Sequence, residues 1–542
     1  MSKASRLAFD VALVVGMAHV VLLLGVGVLR VAYPFDVEWM EGGELTHAVR
    51  LVQGAPLYAR PSADFTAFFY TPFYPAVVAC LAKVAGGVTH ALGRGVSFAS
   101  TLATLLLLFG IVRREAGTRY ALLAVSTYAA LDRFSGTFTT VARPDALALA
   151  LAFGACVVVH VGRHALSAVI GAVLAVLAIF TKQTMVIPVL AVAVWLFVTS
   201  RRRGGIFAGV ASVLGGLAAV ALEKTSGGWF SFYVVSGHQS HAFFWINVAF
   251  YFWRDVLFLA PLLLLLPLAW AYARFGRTAA VLLLVLHVSV AFVERALSLD
   301  YPPHMYFREL VYESPRWLLL VPPVVLAGLL SVRVPKLEPV RPADAFWLWM
   351  FAAATLTSAV GHSTQWAYKN AFLPMSLFGA LFLARSAKDL ADGTSANPLR
   401  PGSAFVFAAF AFQFLALFDA PLSRVPRAAD HEKVRALRER LARIEGPVLV
   451  IAHPLLAYEH DGTVHVHQMG LQDVAALGGV DQFEQRAAAH AWRAVVTDEG
   501  DGIDVPPSIP AHYAPAEVLD GPEMKTGTRM RPSRLWVPRI RP

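Results

Sequence analysis

Apolar and polar positions in this chain separate into long blocks. Uncharged runs close to the ~20 residues that cross a bilayer as a helix recur through residues 1–420, as in 11–28, 165–180 and 256–270. Basic residues gather in short stretches between them: Lys3 and Arg6; Arg113, Arg114 and Arg119; Arg163; Arg201, Arg202 and Arg203; Arg274 and Arg277; Arg333, Lys336 and Arg341; Arg385 and Lys388. Such clusters mark the cytoplasmic ends of spans. Two apolar stretches, 73–88 and 96–112, separate the first span from Arg113, and if both crossed, Arg113 would fall outside. The 73–88 stretch is the shorter, contains Pro75 and Lys83, and is expected to lie in or dip into the outer interface. Spans are then expected at 7–31, 96–112, 121–131, 146–161, 165–180, 185–198, 206–222, 256–273, 279–292, 317–330, 346–360, 372–384 and 404–418, about 13 in all. An odd number puts the N-terminus in the cytoplasm and everything after about residue 419 outside. The first segment is too long for a cleaved leader and lacks a small-residue cleavage site, so it reads as a retained span.

The pattern changes in the tail, which is charged and Pro-rich. Residues 448–451 and 494–497 read as short buried strands and 431–444 as an amphipathic helix. The expected architecture is an all-α polytopic membrane domain over 1–420, with a small α/β extramembrane domain over 421–542.

Composition agrees. Of 542 residues, 57% are hydrophobic and 15% charged, with mean hydropathy +0.58, whereas soluble domains carry about a quarter charged residues. The net charge of +10 is explained by basic inner loops, and no basic-aromatic patch of nucleic-acid type stands out. The two cysteines, Cys80 and Cys156, sit in apolar stretches and predict no disulfide framework. No phosphate-binding Walker loop, GxSxG elbow or HExxH sequence is present, which argues against a nucleotide-driven pump and the common soluble hydrolases.

Candidate chemistry concentrates outside. Residues 33–44 bring Asp36, Glu38, Glu41 and Glu44 directly after a span. Carboxylates at the edge of hydrocarbon are costly unless paired or functional, and partial desolvation raises their pKa toward that of a general base. A solvated acidic loop that merely holds the segment outside is the plainer alternative. Arg143, Pro144 and Asp145 suit a helix start, with Pro and an acid in the first turn. Lys182, in the polar break 181–184, could meet a phosphate as a point charge or snorkel to the interface. Arg308, Arg316 and Lys369 are further outer cations. His453, His460, His465 and His467 cluster in the tail, and two of them would share a strand face as metal ligands can. No cysteine or regular carboxylate spacing supports a metal there, and a divalent cation is left open.

The runs 36–43 (Asp-Val-Glu-Trp-Met-Glu-Gly-Gly), 50–54, 56–58, 64–65 and 70–75 (Tyr-Thr-Pro-Phe-Tyr-Pro), in this order, resemble the first outer loop of GT-C glycosyltransferases. More narrowly, they are similar to glycosyltransferase family 39, which includes the protein O-mannosyltransferases and the lipid A aminoarabinose transferase. Residues 93–97, 142–145, 180–184 and 370–374 also look like landmarks of that group. The resemblance implies about a dozen spans, juxtamembrane helices within the first outer loop (32–94), and transfer of a sugar from a polyprenyl-phosphate donor to a lipid, glycan or protein hydroxyl, with inversion. It implies a base among Asp36, Glu38 and Glu41, with Asp145 as the supporting acid. Arg143, Lys182, Arg308, Arg316 and Lys369 are then candidates for the lipid phosphate, and Tyr70 and Tyr74 for substrate contacts. Two positions depart from the family. Met40 stands where members commonly carry Asp, and 71–73 reads Thr-Pro-Phe where many carry Lys before two prolines. Ala, Val and Arg richness points to a GC-rich bacterium, hence an inner membrane with the C-terminal domain in the periplasm. A transporter or lipid flippase is the alternative, but it calls for ionisable groups deep in the spans, where Asp and Glu are scarce.

Overall fold

The computed structural model describes residues 2–245, 247–248, 252–275, 341–394, 402–418, 421–500 and 505–539. The expected spans 279–292 and 317–330, and the candidates Arg308 and Arg316, lie outside these residues.

The membrane domain begins with α1 (Lys3–Val31), α2 (Glu41–Val52), α3 (Phe73–Ala85), α4 (His90–Ala116) and α5 (Thr118–Phe134). It continues with α6 (Pro144–Val161), α7 (Ala165–Thr181), α8 (Val186–Thr199) and α9 (Arg201–Ser226). After the intervening loop come α10 (Phe252–Leu259), α11 (Leu262–Phe275), α12 (Pro342–His362), α13 (Leu373–Thr394) and α14 (Gly402–Ala416). The first helix shows how such a protein divides its surface. Phe9, Ala12, Gly16, Leu23 and Gly27 are buried at helical spacing, packed against α5 and α14. Leu7, Val14, Val21 and Val28 form an outward stripe that is 59–72% exposed yet wholly apolar. In water that stripe would carry charges; here it fits lipid.

Among the described residues, five helices (α1, α4, α6, α9 and α12) are long and apolar enough to cross a membrane, or six if a bent pair counts as one span. The bent pair corrects one expectation. The run 256–273 is not a straight span but α10 and α11, meeting at 92°. Pro261 supplies the break, since it lacks a backbone donor and disfavours helix at the preceding Ala260. The expected interfacial segment 73–88 is α3, a helix of 13 residues.

The ends of α4 and α6 and the start of α12 are tied by ionic contacts. Arg385 pairs with both Glu115 and Asp344, and Glu115 also accepts from His160 at 2.5 Å and Trp347 at 3.0 Å. These acids sit at helix termini, Glu115 closing α4 and Asp344 opening α12.

The tail is α15 (Ala428–Ala442) followed by a four-stranded sheet with helices between strands. β1 (Val448–Val450) and β2 (Ala494–Gly500) run parallel, while β4 (Met530–Pro538) pairs antiparallel with both β2 and β3 (Tyr513–Val518), giving the order β1-β2-β4-β3. Its other helices include α16 (Pro454–Asp461) and α17 (Gln468–Ala475). This domain docks onto the loop after α1, the first loop: the Lys525 and Thr526 amides both donate to the Val37 carbonyl at 2.9 Å. The buried Arg30, at the end of α1, donates to Thr526 Oγ1 at 2.6 Å.

Candidate active site

The first loop is held by its own acids. Glu41 accepts four hydrogen bonds, from Arg94 Nε (2.9 Å) and Nη2 (2.6 Å) and from the amides of Val37 (2.7 Å) and Ala142 (2.6 Å). Neither side chain of this ion pair is exposed at all. Asp36 accepts from His90 Nε2 at 2.7 Å and His453 Nδ1 at 2.6 Å, and His453 Nε2 donates to Asp498 Oδ2 at 2.9 Å. Burial pushes the Asp36 carboxyl upward, but the two histidines outweigh it and hold it below the ordinary carboxylate range. Burial also opposes charge on His453, yet Asp498 and Asp36 raise it to about 10. An imidazolium thus latches the tail's sheet to the first loop, and the register shift of β2 against β4 falls at Thr497/Asp498, beside the latch.

Glu38 accepts from Arg143 Nη1 at 2.8 Å and the Met40 amide at 3.1 Å. Burial raises it to about 7, against the pull of Arg143. Burial likewise raises Glu44 to about 8, and its Oε1 has no hydrogen-bond partner among the described residues. Gly42 and Gly43 let the loop close on α2: a Cβ on Gly42 would stand 2.9 Å from an Asp36 carboxylate oxygen, and one on Gly43 would collide with the Phe68 ring.

Above these acids opens a cavity of about 160 Å³ between the first loop, the starts of α6 and α8, the end of α12 and the tail. Asp145 lies on its wall, where Pro144 opens α6 at a position that needs no backbone donor. Its Oδ1 accepts from Lys182 Nζ at 2.5 Å and Asn370 Nδ2 at 3.0 Å. Its Oδ2 is 3.6 Å from Arg143 Nε, and both atoms are buried without a hydrogen bond among the described residues. Lys182 stands at the extended break between α7 and the turn Gln183–Met185. Arg143 Nη2 donates to the Tyr70 hydroxyl at 2.7 Å. Around this ionic centre Trp39, Phe68, Phe69, Tyr70, Trp366 and Tyr368 make aromatic walls. Trp366 has φ +64°, a left-handed conformation that a bulky residue seldom adopts outside functional sites.

The cavity gathers Arg143, Asp145, Lys182 and Tyr70 from the candidates read in the sequence. Asp36, Glu38, Glu41 and Lys369 do not line it; from the acidic run it takes Trp39 and Met40. Tyr74 also lies elsewhere, fully buried and donating to the Gly93 carbonyl at 3.0 Å, where it joins α3 to α4. The four tail histidines diverge. His453 is the latch, His460 is half-buried against the Gly446 carbonyl, His465 pairs with Asp461, and His467 donates to the Trp39 carbonyl. Burial lowers His467 to about 4, so it is neutral. Among the described residues no three His, Cys, Asp or Glu side chains converge as metal ligands. Lys182 and Asn370 both hold Asp145 through its Oδ1.

Two imidazoles and a carboxylate in the lining were not singled out in the sequence: His238, His241 and Asp473. His238 Nε2 donates to the Phe69 carbonyl at 2.7 Å, and His241 Nε2 donates to Asp473 Oδ1 at 3.2 Å. The signal was the pair of histidines three residues apart between two apolar runs; the carboxylate of His241 lies 232 residues further on.

A second, apolar groove of about 460 Å³ runs between the first loop, α7 and α9, lined by Leu57, Pro72, Phe73, Val176, Phe180, Ala218 and Leu222. Pro72 and Phe180 in the groove are each two residues from Tyr70 and Lys182 in the cavity, so a thin wall separates the two spaces.

Long apolar helices, short helices in the loop after α1 and a docked sheet domain define a polytopic helical membrane protein with a small α/β domain. The apo structure of ArnT from Cupriavidus metallidurans aligns over 96% of this chain and 97% of its own, with TM-score 0.50 and 17% identity. The structure of the same protein bound to undecaprenyl phosphate aligns over the same shares with TM-score 0.49 and 16% identity. The archaeal oligosaccharyltransferase AglB from Archaeoglobus fulgidus, in complex with an inhibitory peptide and a dolichol-phosphate, covers 89% of this chain and 69% of its own, with TM-score 0.42 and 11% identity. Residues 70–229 match the family described as dolichyl-phosphate-mannose-protein mannosyltransferase. No curated protein sequence matches the chain. The chain resembles the GT-C membrane glycosyltransferases, with its family match in the segment that carries Arg143, Asp145 and Lys182.

Proposed function

We propose that this protein transfers a sugar from a polyprenyl-phosphate donor to an acceptor hydroxyl at the outer face of the membrane, with inversion at the anomeric carbon. The observation that carries the reading is a buried ionic centre of Arg143, Asp145 and Lys182 in an aromatic cavity, one thin wall from an apolar groove. A phosphate recruits Lys and Arg through charge-assisted hydrogen bonds, and the Arg143 Nε and Asp145 Oδ2 atoms are buried there with no hydrogen bond among the described residues. The groove between α7 and α9 suits a prenyl chain, because α9 is only 6% buried over its apolar window and borders lipid. The matched family is described by a lipid-phosphate-linked sugar donor, which agrees with this site.

In this reading the acceptor oxygen attacks the anomeric carbon from the face opposite the phosphate. The bond from that carbon to the phosphate oxygen breaks, and its electron pair leaves with the phosphate. The leaving group is a weak base and needs no proton, only the positive charge of Lys182 and Arg143. Positive charge develops on the sugar ring, and Asp145 is the carboxylate placed to favour it. The first-loop acids organise the site: Glu41 and Asp36 fix the loop, and Glu38 orients Arg143. The orientation proposed is that of the basic clusters, with the N-terminus cytoplasmic and the tail periplasmic.

The test is transfer by purified protein in lipid nanodiscs, using radiolabelled polyprenyl-phosphate sugars and crude envelope acceptors. Wild type transfers label, and Asp145→Asn loses about 10²–10³-fold in kcat, the scale of removing one preorganised electrostatic group. Equal rates in the two proteins would sink the assignment.

A further inference from the structure

The transfer needs a group to take the acceptor's proton, and the first loop turns none of its acids into the cavity. Among the described residues the carboxylates lining it are Asp145 and Asp473, and the imidazoles are His238 and His241. Asp145 is held by Lys182 and Asn370 on the phosphate-binding side. His238 is held by the Phe69 carbonyl and pairs with no carboxylate among the described residues. His241 differs: its Nε2–H donates to Asp473 Oδ1 at 3.2 Å, which assigns the lone pair to Nδ1. Nothing among the described residues hydrogen-bonds to that Nδ1. The His241 ring rests on Phe69, with centroids 5.3 Å apart, and stands edge-on to His238 at 5.9 Å. His238 in turn neighbours Gln183, the residue after Lys182. Arg143, Lys182 and His241 thus line one cavity, with the His238 ring between Gln183 and His241.

Resting on the glycosyl-transfer reading above, we infer that the general base comes from outside the first loop: His241 Nδ1 takes the acceptor proton, and Asp473 of the C-terminal domain positions the ring. Asp473 fixes the tautomer and favours the imidazolium that forms, as a carboxylate does behind a catalytic histidine. The steps balance. The acceptor O–H gives its proton to Nδ1, the acceptor oxygen bonds the anomeric carbon, the phosphate leaves with the old bonding pair, and the imidazolium returns its proton to solvent. Asp473 lies in α17, one turn from Met469, which also lines the cavity. Catalysis then requires the tail domain to be docked, so the latch at His453 becomes a condition of activity.

The experiment compares wild type, His241→Gly, His241→Gln and Asp473→Asn in nanodiscs, each first checked for binding of sugar-free polyprenyl phosphate. His241→Gly should lose about 10²–10⁴-fold in kcat with donor KM within about threefold. Tens of millimolar imidazole should restore part of the rate to His241→Gly and none to Asp145→Asn. Asp473→Asn should lower kcat with little change in donor KM. Unrescued loss in His241→Gly that retains lipid binding, or rates within threefold of wild type for His241→Gln, would overturn the assignment while leaving glycosyl transfer standing. Absence of transfer by wild type would overturn both.

Discussion

Removing the imidazolium of His453 should loosen the tail domain from the membrane domain by several kcal/mol. In His453→Ala, Asp36 keeps His90, but Asp498 loses its partner while its side chain stays unexposed. Breaking one side of a buried ion pair costs about 3–5 kcal/mol. The rise of His453 from 6.5 to about 10 points to the same size, about 5 kcal/mol in favour of the charged ring. The pH dependence follows in sign. Because the folded state raises His453, its contribution is complete below about 6.5 and is lost as pH climbs through about 10. Because the folded state lowers Asp36, its contribution is complete above about pH 4 and is lost as pH falls further. The assay is thermal unfolding in nanodiscs, followed by the fluorescence of the tail's Trp492 and Trp536. Wild type should lose stability between pH 6.5 and 10, and the gap between it and His453→Ala should shrink over the same range. A gap under about 1 kcal/mol at pH 6.5, or one that stays constant up to pH 10, would refute the latch.

Other substitutions separate structure from chemistry. Glu41→Gln should cost about 3–5 kcal/mol, because it leaves Arg94 charged and buried; a variant as stable as wild type but inactive would instead make Glu41 a reacting group. Lys182→Met should weaken polyprenyl-phosphate binding about 10- to 150-fold, the worth of a charge-assisted hydrogen bond of about 1.5–3 kcal/mol; titration calorimetry in detergent would show otherwise if affinity were unchanged. Ala218→Trp, filling the apolar groove, should raise KM for long-chain donors about fifteenfold if it displaces two methylenes at ~0.8 kcal/mol each. Donors with two prenyl units should be affected less than threefold, and equal effects on both chain lengths would remove the groove from the account.

Local signals in the sequence located much of this protein. The polar break at Lys182 and the Pro144 helix start placed two elements of the cavity because each is a matter of adjacent residues. The strands near Val448 and Ala494 followed from short apolar runs. Pairings across the chain were not legible. Glu41 looked like a candidate base because its partner Arg94 lies 53 residues away, on another helix. His241 gained meaning only when the tail's fold brought Asp473 to it. The break of α10 from α11 was foreshadowed by Pro261, but hydropathy averages over a proline and showed one continuous span.

The most direct test of glycosyl transfer at this cavity is the fate of the donor itself. Wild type, Asp145→Asn and Lys182→Met, reconstituted in nanodiscs with polyprenyl-phosphate sugar and acceptor, would be sampled over time by mass spectrometry of the lipid fraction. Wild type should convert the donor to free polyprenyl phosphate in step with acceptor glycosylation, Asp145→Asn should bind but turn over slowly, and Lys182→Met should need far more donor. An intact donor at all times, with lipid exchanged between the leaflets of proteoliposomes, would contradict the account and move transport to the front.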